Sequence, residues 1–338
     1  MNEMKVTVII ANYNGAHFME PCLESLKGQS CQDFEILVVD NASTDGSRQL
    51  LDEKFPEIRA IYLNKNYGFS KAVNVGIQAA DTPYVILLNN DTRVDKRFVE
   101  SLLKTIESSD RIFSVSSKML QMYHPELIDD AGDLYNIIGW ASQRGVGQPS
   151  SGYTKQKNIF AACGGASIYR REVFLVIGDF DEKHFAYLED TDIGYRARIF
   201  GYRNVYCPDA YVYHVGSGTS GSRYNAFKVK LAARNSIYLN YKNMPLLQLI
   251  INSPFLLAGY LIKCSFFKKI GFGKEYREGL SEGFKTVSHC RKVPFHFRNT
   301  WNYIRIEGEL IANMFIYAAE YVSRRRQKAA PVKKDLRK

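Results

Sequence analysis

Residues 84–91 read Tyr-Val-Ile-Leu-Leu-Asn-Asn-Asp. An apolar, β-rich run closing in three side chains of the kind that ligate cations and phosphates predicts a buried parallel strand. Such a strand delivers Asn89, Asn90 and Asp91 to its carboxyl end, where open α/β sheets place their ligands. The same letters also describe a strand followed by a turn in which Asp91 or Thr92 caps the next helix. The company the stretch keeps has to decide between the two.

Upstream, residues 4–11 form a β-branched run, residues 12–15 (Asn-Tyr-Asn-Gly) a turn cluster, and residues 18–27 an amphipathic helix. The pattern repeats with a strand at 35–40 and a polar loop at 41–47, whose Asp45 is placed to cap a helix running toward Phe55. A third strand at 59–63, a turn leading into a helix that ends at Ala80, and a helix at 95–109 complete the series. Strand and helix in alternation predict an α/β fold, a mostly parallel sheet with helices on both faces.

Glycine spacing limits the nucleotide chemistry. The turn after the first strand offers only Gly15 where a dinucleotide fold needs G-x-G-x-x-G, and no G-x-x-x-x-G-K-[ST] occurs anywhere. Periodicity then loosens between 112 and 158, which predicts a long, variable loop region over a site. Residues 159–170 read as a strand pair broken by Gly164-Gly165, a place for close backbone approach to a ligand or for a tight turn, with a short helix from Arg171.

Residues 185–200 crowd Glu189, Asp190 and Asp192 at a helix start, where negative charge suits the dipole. Asp192 and Arg196 have the spacing of a helical ion pair, and a charged first turn accounts for all three acids equally well. Two short strands, 202–207 and 210–214, end at His214 before a Gly- and Ser-rich loop able to wrap a diphosphate.

The 338 residues suffice for one large α/β domain plus an appendage, with a formal net charge of +10. Residues 324–338 hold eight of the 45 Lys and Arg against one acid, Asp335. A tail of that kind points to an anionic surface, membrane lipid or nucleic acid. Six scattered cysteines without C-x-x-C pairing argue against a zinc ribbon or a disulfide framework. The first residues enter a strand with no leader pattern, so a cytoplasmic location is expected.

In order, these blocks resemble the family 2 glycosyltransferases of the GT-A fold, from Val6 to about Thr219. The matching blocks are Val-Ile-Ile-Ala-Asn-Tyr-Asn-Gly, Val-Val-Asp-Asn-Ala-Ser-Thr-Asp-Gly-Ser, Asn-Lys-Asn-Tyr-Gly-Phe-Ser, Leu-Leu-Asn-Asn-Asp-Thr, Cys-Gly-Gly-Ala-Ser, Tyr-Leu-Glu-Asp-Thr-Asp-Ile-Gly-Tyr-Arg and His-Val-Gly-Ser-Gly-Thr. The resemblance implies that Ala11, Asn12 and Asn14 border a nucleotide whose base hydrogen-bonds Asp40. Asn66, Gly68 and Asn74 would line the diphospho-sugar pocket.

It further implies that Asn89-Asn90-Asp91 stands in the family's Asp-x-Asp place. Asp91 would be the metal carboxylate, while Asn89, standing where an Asp is frequent, holds ribose or a metal-bound water. His214 would help hold metal or diphosphate, and Gly164, Gly165, Ala166 and Glu189 would lie with the acceptor and transferred sugar. Asp190 would be the catalytic base. Mg2+ or Mn2+ suits oxygen ligands that neutralise a departing diphosphate. The implied function is inverting transfer from a dTDP- or UDP-linked sugar, rhamnose first, to a glycan or polyprenyl-linked acceptor in surface polysaccharide or cell-wall assembly.

In the last third, residues 225–241 read as a helix, and 243–262 carry no formal charge over a length that would just cross a bilayer. Gln248, Asn252, Ser253 and Pro254 favour an interfacial or re-entrant helix pair on an anionic inner membrane face, with a buried core helix as the alternative. Residues 303–321 form an amphipathic helix leading into the basic tail. The expected organisation is therefore a GT-A domain at 1–224, with a nucleotide-sugar half to about 111 and an acceptor half beyond it. A helical membrane-interfacial region at 225–323 and a basic tail at 324–338 follow. A nucleotidyltransferase on a similar sheet or a catalytically decayed membrane scaffold are the rival readings, and a nucleic-acid partner accounts only for the tail.

Overall fold

The sheet is built around β1 (Val6–Asn12), which pairs in parallel with β2 (Phe34–Asp40) on one side and β4 (Tyr84–Asn89) on the other. The structure, a computed structural model, describes residues 4–216 and 224–329. Ser217, Gly218 and Thr219 of the expected Gly- and Ser-rich loop, and the basic tail beyond residue 329, lie outside the described residues. Between these strands run α1 (Ala16–Lys27), α2 (Ser47–Lys54), β3 (Arg59–Tyr62) and α3 (Phe69–Ala79).

Because successive strand residues face opposite sides, β1 supplies two cores. Val6, Val8 and Ile10 pack with Met19, Cys22, Leu23 and Leu26 of α1. Ile9 points the other way, toward Ala72, Val73 and Ile77 of α3. Gly76 permits that approach, since a Cβ there would run into the Ile9 side chain. This double burial makes the strand almost wholly apolar, as a parallel strand covered by helices must be.

After β5 (Thr92–Val94) and α4 (Phe98–Glu107) the expected long loop does not materialise. The chain instead forms β6 (Ile112–Gln121), β7 (His124–Asp130), β8 (Asp133–Tyr135), β9 (Ala141–Gln143) and β10 (Lys157–Ile159). Buried polar residues hid β6 from a periodicity argument: Ser114, Ser116, Ser117 and Lys118 are all inside, and Ser114 hydrogen-bonds Asn204 at 2.8 Å. Next come β11 (Ala166–Arg170), α5 (Arg171–Ile177), α6 (Glu189–Ile199) and β12 (Arg203–His214). The two short strands expected at 202–214 are one strand, with its register against β6 shifted between Tyr206 and Tyr211.

The ten-stranded sheet runs β10-β12-β6-β11-β4-β1-β2-β3, with β5 on β12 and β7 on β6. Its β3-β2-β1-β4 half is parallel, whereas β11 lies antiparallel to both β4 and β6.

Four helices follow: α7 (Ala226–Asn243), α8 (Leu246–Lys269), α9 (Gly273–Thr286) and α10 (Thr300–Ala329). The expected re-entrant pair is one continuous α8 with Pro254 inside it. Gln248 and Asn252 do not break the helix because both donate to Glu307 of α10, at 2.6 and 3.0 Å. Among the described residues α8 is the one helix long and apolar enough to cross a membrane, and only 17% of that apolar window is buried. A third core, with Phe160, Tyr195, Leu239, Met244, Leu256, Tyr303 and Leu310, binds α6, α7, α8 and α10 together. Gly279 and Gly283 bring α9 against the α7 backbone.

A buried charge cluster fastens α6 to α7. Asp192 accepts from Arg196 at 3.0 Å, Lys242 at 2.8 Å and Asn243 at 2.7 Å, and Lys242 also reaches Asp181 at 2.6 Å. Burial opposes charge on Asp192, yet the Lys242 and Arg196 cations outweigh it and hold the carboxyl well below the usual range.

His184, fully buried beside this cluster with both ring nitrogens unpartnered among the described residues, is pushed down to about 4 by burial. The unfolded chain therefore takes up a proton near pH 6.5 that the folded chain refuses until about pH 4, so stability is lost as pH falls through that window. Urea midpoints measured at pH 7 and pH 4.5 should drop for the wild type, His184 contributing on the order of 3 kcal/mol. His184→Leu should flatten that drop, and an equal drop in both proteins refutes the assignment.

Candidate active site

The register of β1 sets the first half of the site. Ala11 lies opposite both Val39 and Asn89, and Asn12 opposite Asp40, so three strand ends converge. The Asn12 amide donates to Asp40 at 2.8 Å and to Ser43 Oγ at 3.0 Å, while Asn90 donates to Asn12 Oδ1 at 2.7 Å. The second Asp40 oxygen accepts the Ser43 N–H at 2.9 Å. Asn14, at φ +50°, donates its N–H to Ser43 Oγ and accepts from the Thr44 N–H. Asp45 accepts from Ala16 N at 2.8 Å and from Ser47, tying the loop to the starts of α1 and α2. Gly15 must lack a side chain because a Cβ would strike the Asn90 amide.

Asn41, which the sequence reading passed over, organises the next loop. Its amide donates to Asn66 Oδ1 at 2.9 Å and to the Gly68 carbonyl at 3.2 Å, and its oxygen accepts the Tyr67 N–H at 2.9 Å. Gly68, at φ +87°, lies directly against Phe185. Asn74 requires a correction. Both ends of its amide engage the Phe180 backbone, at 2.8 and 3.0 Å, and it is 2% exposed, so it fastens α3 to the segment before α6 rather than lining a pocket.

At the carboxyl end of β4, Asn89 N–H donates to the Gly165 carbonyl at 2.8 Å, and the Asn89 side chain borders Gly165. Ala166 opens β11 opposite Leu88. Asp91 Oδ1 lies 3.2 Å from His214 Nε2, and His214 Nδ1 lies 2.7 Å from Asp129. Burial disfavours a charged ring, but the hydrogen bonds and charges of Asp129 and Asp91 prevail and push His214 up to about 10. A ring charged in this way donates from both nitrogens, so Asp91 and His214 become a donor set for a divalent cation only once the Nε2 proton leaves; Asp129 would then fix the neutral imidazole through Nδ1.

Asp190 borders Gly164, where its Cβ would touch a side chain. The Asp190 carboxylate accepts the Thr191 N–H at 2.6 Å. Asp133, buried close by, is raised well above the usual carboxylate range by burial and by the charges of Asp130 and Asp190. Burial raises Asp190 as well, and the Thr191 N–H offsets part of that rise. Glu189 is buried beside them and raised by burial and by Asp190, while burial pushes Asp130 up to about 8. Asp129, Asp130 and Asp133 thus link the Asp91 side of the site to the Asp190 side. They lie in the stretch where periodicity failed, and their one visible sign was acid density around Gly132.

A family model described as Glycosyl transferase family 2 matches residues 7–178. That span includes Asp91 and stops before Asp190 and His214. The chain is 32% identical over 114 residues to a teichoic acid poly(glycerol phosphate) polymerase of Staphylococcus epidermidis, covering 32% of this chain and 16% of that one. It is 27% identical over 245 residues to an N-acetylglucosaminyl-diphospho-decaprenol L-rhamnosyltransferase of Mycobacterium tuberculosis, covering 63% and 77%. In fold it is similar to a mannosyltransferase of Pyrobaculum calidifontis solved with GDP-Man and Mn2+, with a TM-score of 0.53, 14% identity, and coverage of 95% of this chain and 88% of that one.

Gly68→Ala should unseat the loop between Asn66 and Phe185. The positive φ alone costs about 1–2 kcal/mol and the collision with Phe185 adds to it. Calorimetry should show a lowered Tm together with weaker UDP or dTDP binding, and an unchanged Tm removes Gly68 from this role.

Proposed function

The chain belongs to glycosyl transferase family 2, and from that premise we propose that it transfers a sugar, with inversion, from a nucleotide diphosphate donor to a glycan or polyprenyl-linked acceptor. What supports the proposal most is the Asp91–His214 pair at 3.2 Å just past the end of β4, together with Gly164-Gly165, which Asn89 borders at Gly165 and Asp190 at Gly164.

Asn12, Asp40, Ser43 and Asn90 form a pre-ordered polar floor for the nucleotide, since their mutual hydrogen bonds fix them before anything binds. Asp91 and His214 would hold Mg2+ or Mn2+, with Asp129 setting the imidazole tautomer. The bound ion supplies neutralisation of the charge that grows on the departing diphosphate. Asp190 takes the proton of the acceptor hydroxyl as its oxygen attacks the anomeric carbon, and the electron pair of the breaking bond leaves with the diphosphate. Burial strengthens Asp190 as a base, and the Thr191 N–H and hydroxyl keep it aimed.

The named relatives act in teichoic acid synthesis and on a decaprenyl-linked sugar, which supports a role in cell-wall or surface polysaccharide assembly with rhamnose as the first donor to test. An acceptor on a lipid carrier also explains the apolar surface. Leu246, Leu247, Ile250 and Ile251 of α8 and Trp301 and Phe315 of α10 are exposed, and Lys268 and Lys269 end α8. We assign residues 225–323 to apposition with an anionic cytoplasmic membrane face, residues 1–224 to the chemistry, and the 1–111 and 112–224 halves to donor and acceptor.

A panel of dTDP- and UDP-sugars with Mn2+ or Mg2+ tests the reading by release of the nucleotide diphosphate. Asp190→Asn should bind donor and lose transfer on the order of 10²-fold or more; full transfer by that variant ends the base assignment. Asp91→Ala should abolish stimulation by added Mn2+, and persistent stimulation would place the ion elsewhere. Leu247→Glu with Ile251→Glu should release the protein from anionic vesicles in flotation, and undiminished flotation rejects the α8 surface.

A further inference from the structure

The segment leading into α6 has a backbone that its residues do not choose by themselves. Phe185 sits at φ 62°, ψ −62°, and the Ala186 N–H donates to the His184 carbonyl at 2.7 Å, which together make a γ-turn of the rare, strained hand. Tyr187 at φ 72° and Leu188 at φ 66° follow in left-handed conformation, so three of four consecutive residues, none of them glycine, occupy a region that ordinary side chains avoid. Glu189 and Asp190 come next. Phe185 also lies against Gly68 and its carbonyl accepts the Ser70 N–H at 3.2 Å, contacts to α3 and the loop before it that do not involve Asn235.

Such a backbone persists only where the surroundings over-determine it. What does so is α7. The Asn235 amide, fully buried, donates to the carbonyls of His184 at 2.9 Å, Ala186 at 2.9 Å and Tyr187 at 2.8 Å. Arg234 adds donors to the carbonyls of Lys183 at 2.9 Å and His184 at 3.1 Å, and is itself held by Glu282 of α9. No other side-chain amide among the described residues reaches three backbone carbonyls of one turn.

We propose that Asn235 is a positioning residue for transfer, holding the left-handed segment 185–188 so that Asp190 meets the acceptor hydroxyl. The proposal rests on the reading of Asp190 as base. It places the requirement for activity beyond residue 178, in a helix that the family match does not reach.

The test uses the full chain. Turnover is followed as nucleotide diphosphate release from dTDP-rhamnose or UDP-N-acetylglucosamine with Mn2+ and a polyprenyl-diphosphate-linked N-acetylglucosamine acceptor, and ground-state binding as the Kd of UDP and dTDP. Asn235→Ala should lower kcat 10- to 100-fold while donor KM and nucleotide Kd stay within about twofold. Adding Leu188→Gly, which accepts φ 66° without strain, should restore kcat at least several-fold although it removes a packed side chain.

A purely structural role predicts the opposite for that pair, a further loss. If Asn235→Ala does not fold, Asn235→Ser, which keeps one hydroxyl donor, carries the same comparison. Wild-type kcat in the Asn235 variant, or parallel losses in kcat and nucleotide Kd with no rescue, overturns the proposal. Asp190→Asn is run alongside: activity there defeats the base reading, whereas an inactive Asp190→Asn with an active Asn235→Ala defeats this inference alone.

Discussion

The register of β1 between β2 and β4 is the constraint on which the rest depends. With Ala11 opposite Val39 and Asn89, and Asn12 opposite Asp40, the carboxyl ends of three strands stop at one level. A slip of one residue would reverse the side chains of β1 between its two cores and exchange Ile9 with Val8 and Ile10. Apolar burial on both faces therefore fixes the position of the polar groups beyond the strand ends. The site inherits its accuracy from the core.

Beyond that edge the molecule handles buried charge in two ways. Around Asp192 every carboxylate oxygen has a donor and two cations stand close, an arrangement in which loss of one partner strands the others. Around Asp190 no such cation stands among the described residues; Asp130, Asp133 and Glu189 crowd it, and burial raises all three. Two acids, two residues apart on α6, thus have opposite electrostatic fates. One anchors the helix, and the other is left basic enough to accept a proton.

The C-terminal helices join these features to the exposed apolar surface. α7 grips the turn before α6 through Asn235 and the helix itself through Lys242 and Asn243, then passes through Met244 and Pro245 into α8. α9 locks α7 from behind, where Gly279 and Gly283 let the backbones meet. Packing therefore runs across residue 224, and α7 belongs to the same packed unit as α6.

Much of this was legible in the sequence, because the first half obeys local rules. Alternating apolar periods gave the order of strands and helices through residue 109 except for the short β5, and the absence of a glycine fingerprint removed the dinucleotide and P-loop solutions. Ordered blocks carried the resemblance to the family, and the spacing of Asp192 and Arg196 announced their ion pair. Where polar groups are buried the rules reverse. Ser114 to Lys118 lie inside a strand, Gln248 and Asn252 face Glu307 instead of breaking a helix, and Asn74 serves a backbone segment a hundred residues away.

Sequence by itself determined the fold class and the two stretches that bear Asp91 and Asp190, since strand and helix signals are local and survive without a partner. Only the tertiary structure decided that Asp129 steadies His214, that Asp130 and Asp133 are buried close to Asp190, and that α7 holds the turn before α6. Those relations arise from hydrogen bonds and low dielectric between segments distant in the chain, which no local period records.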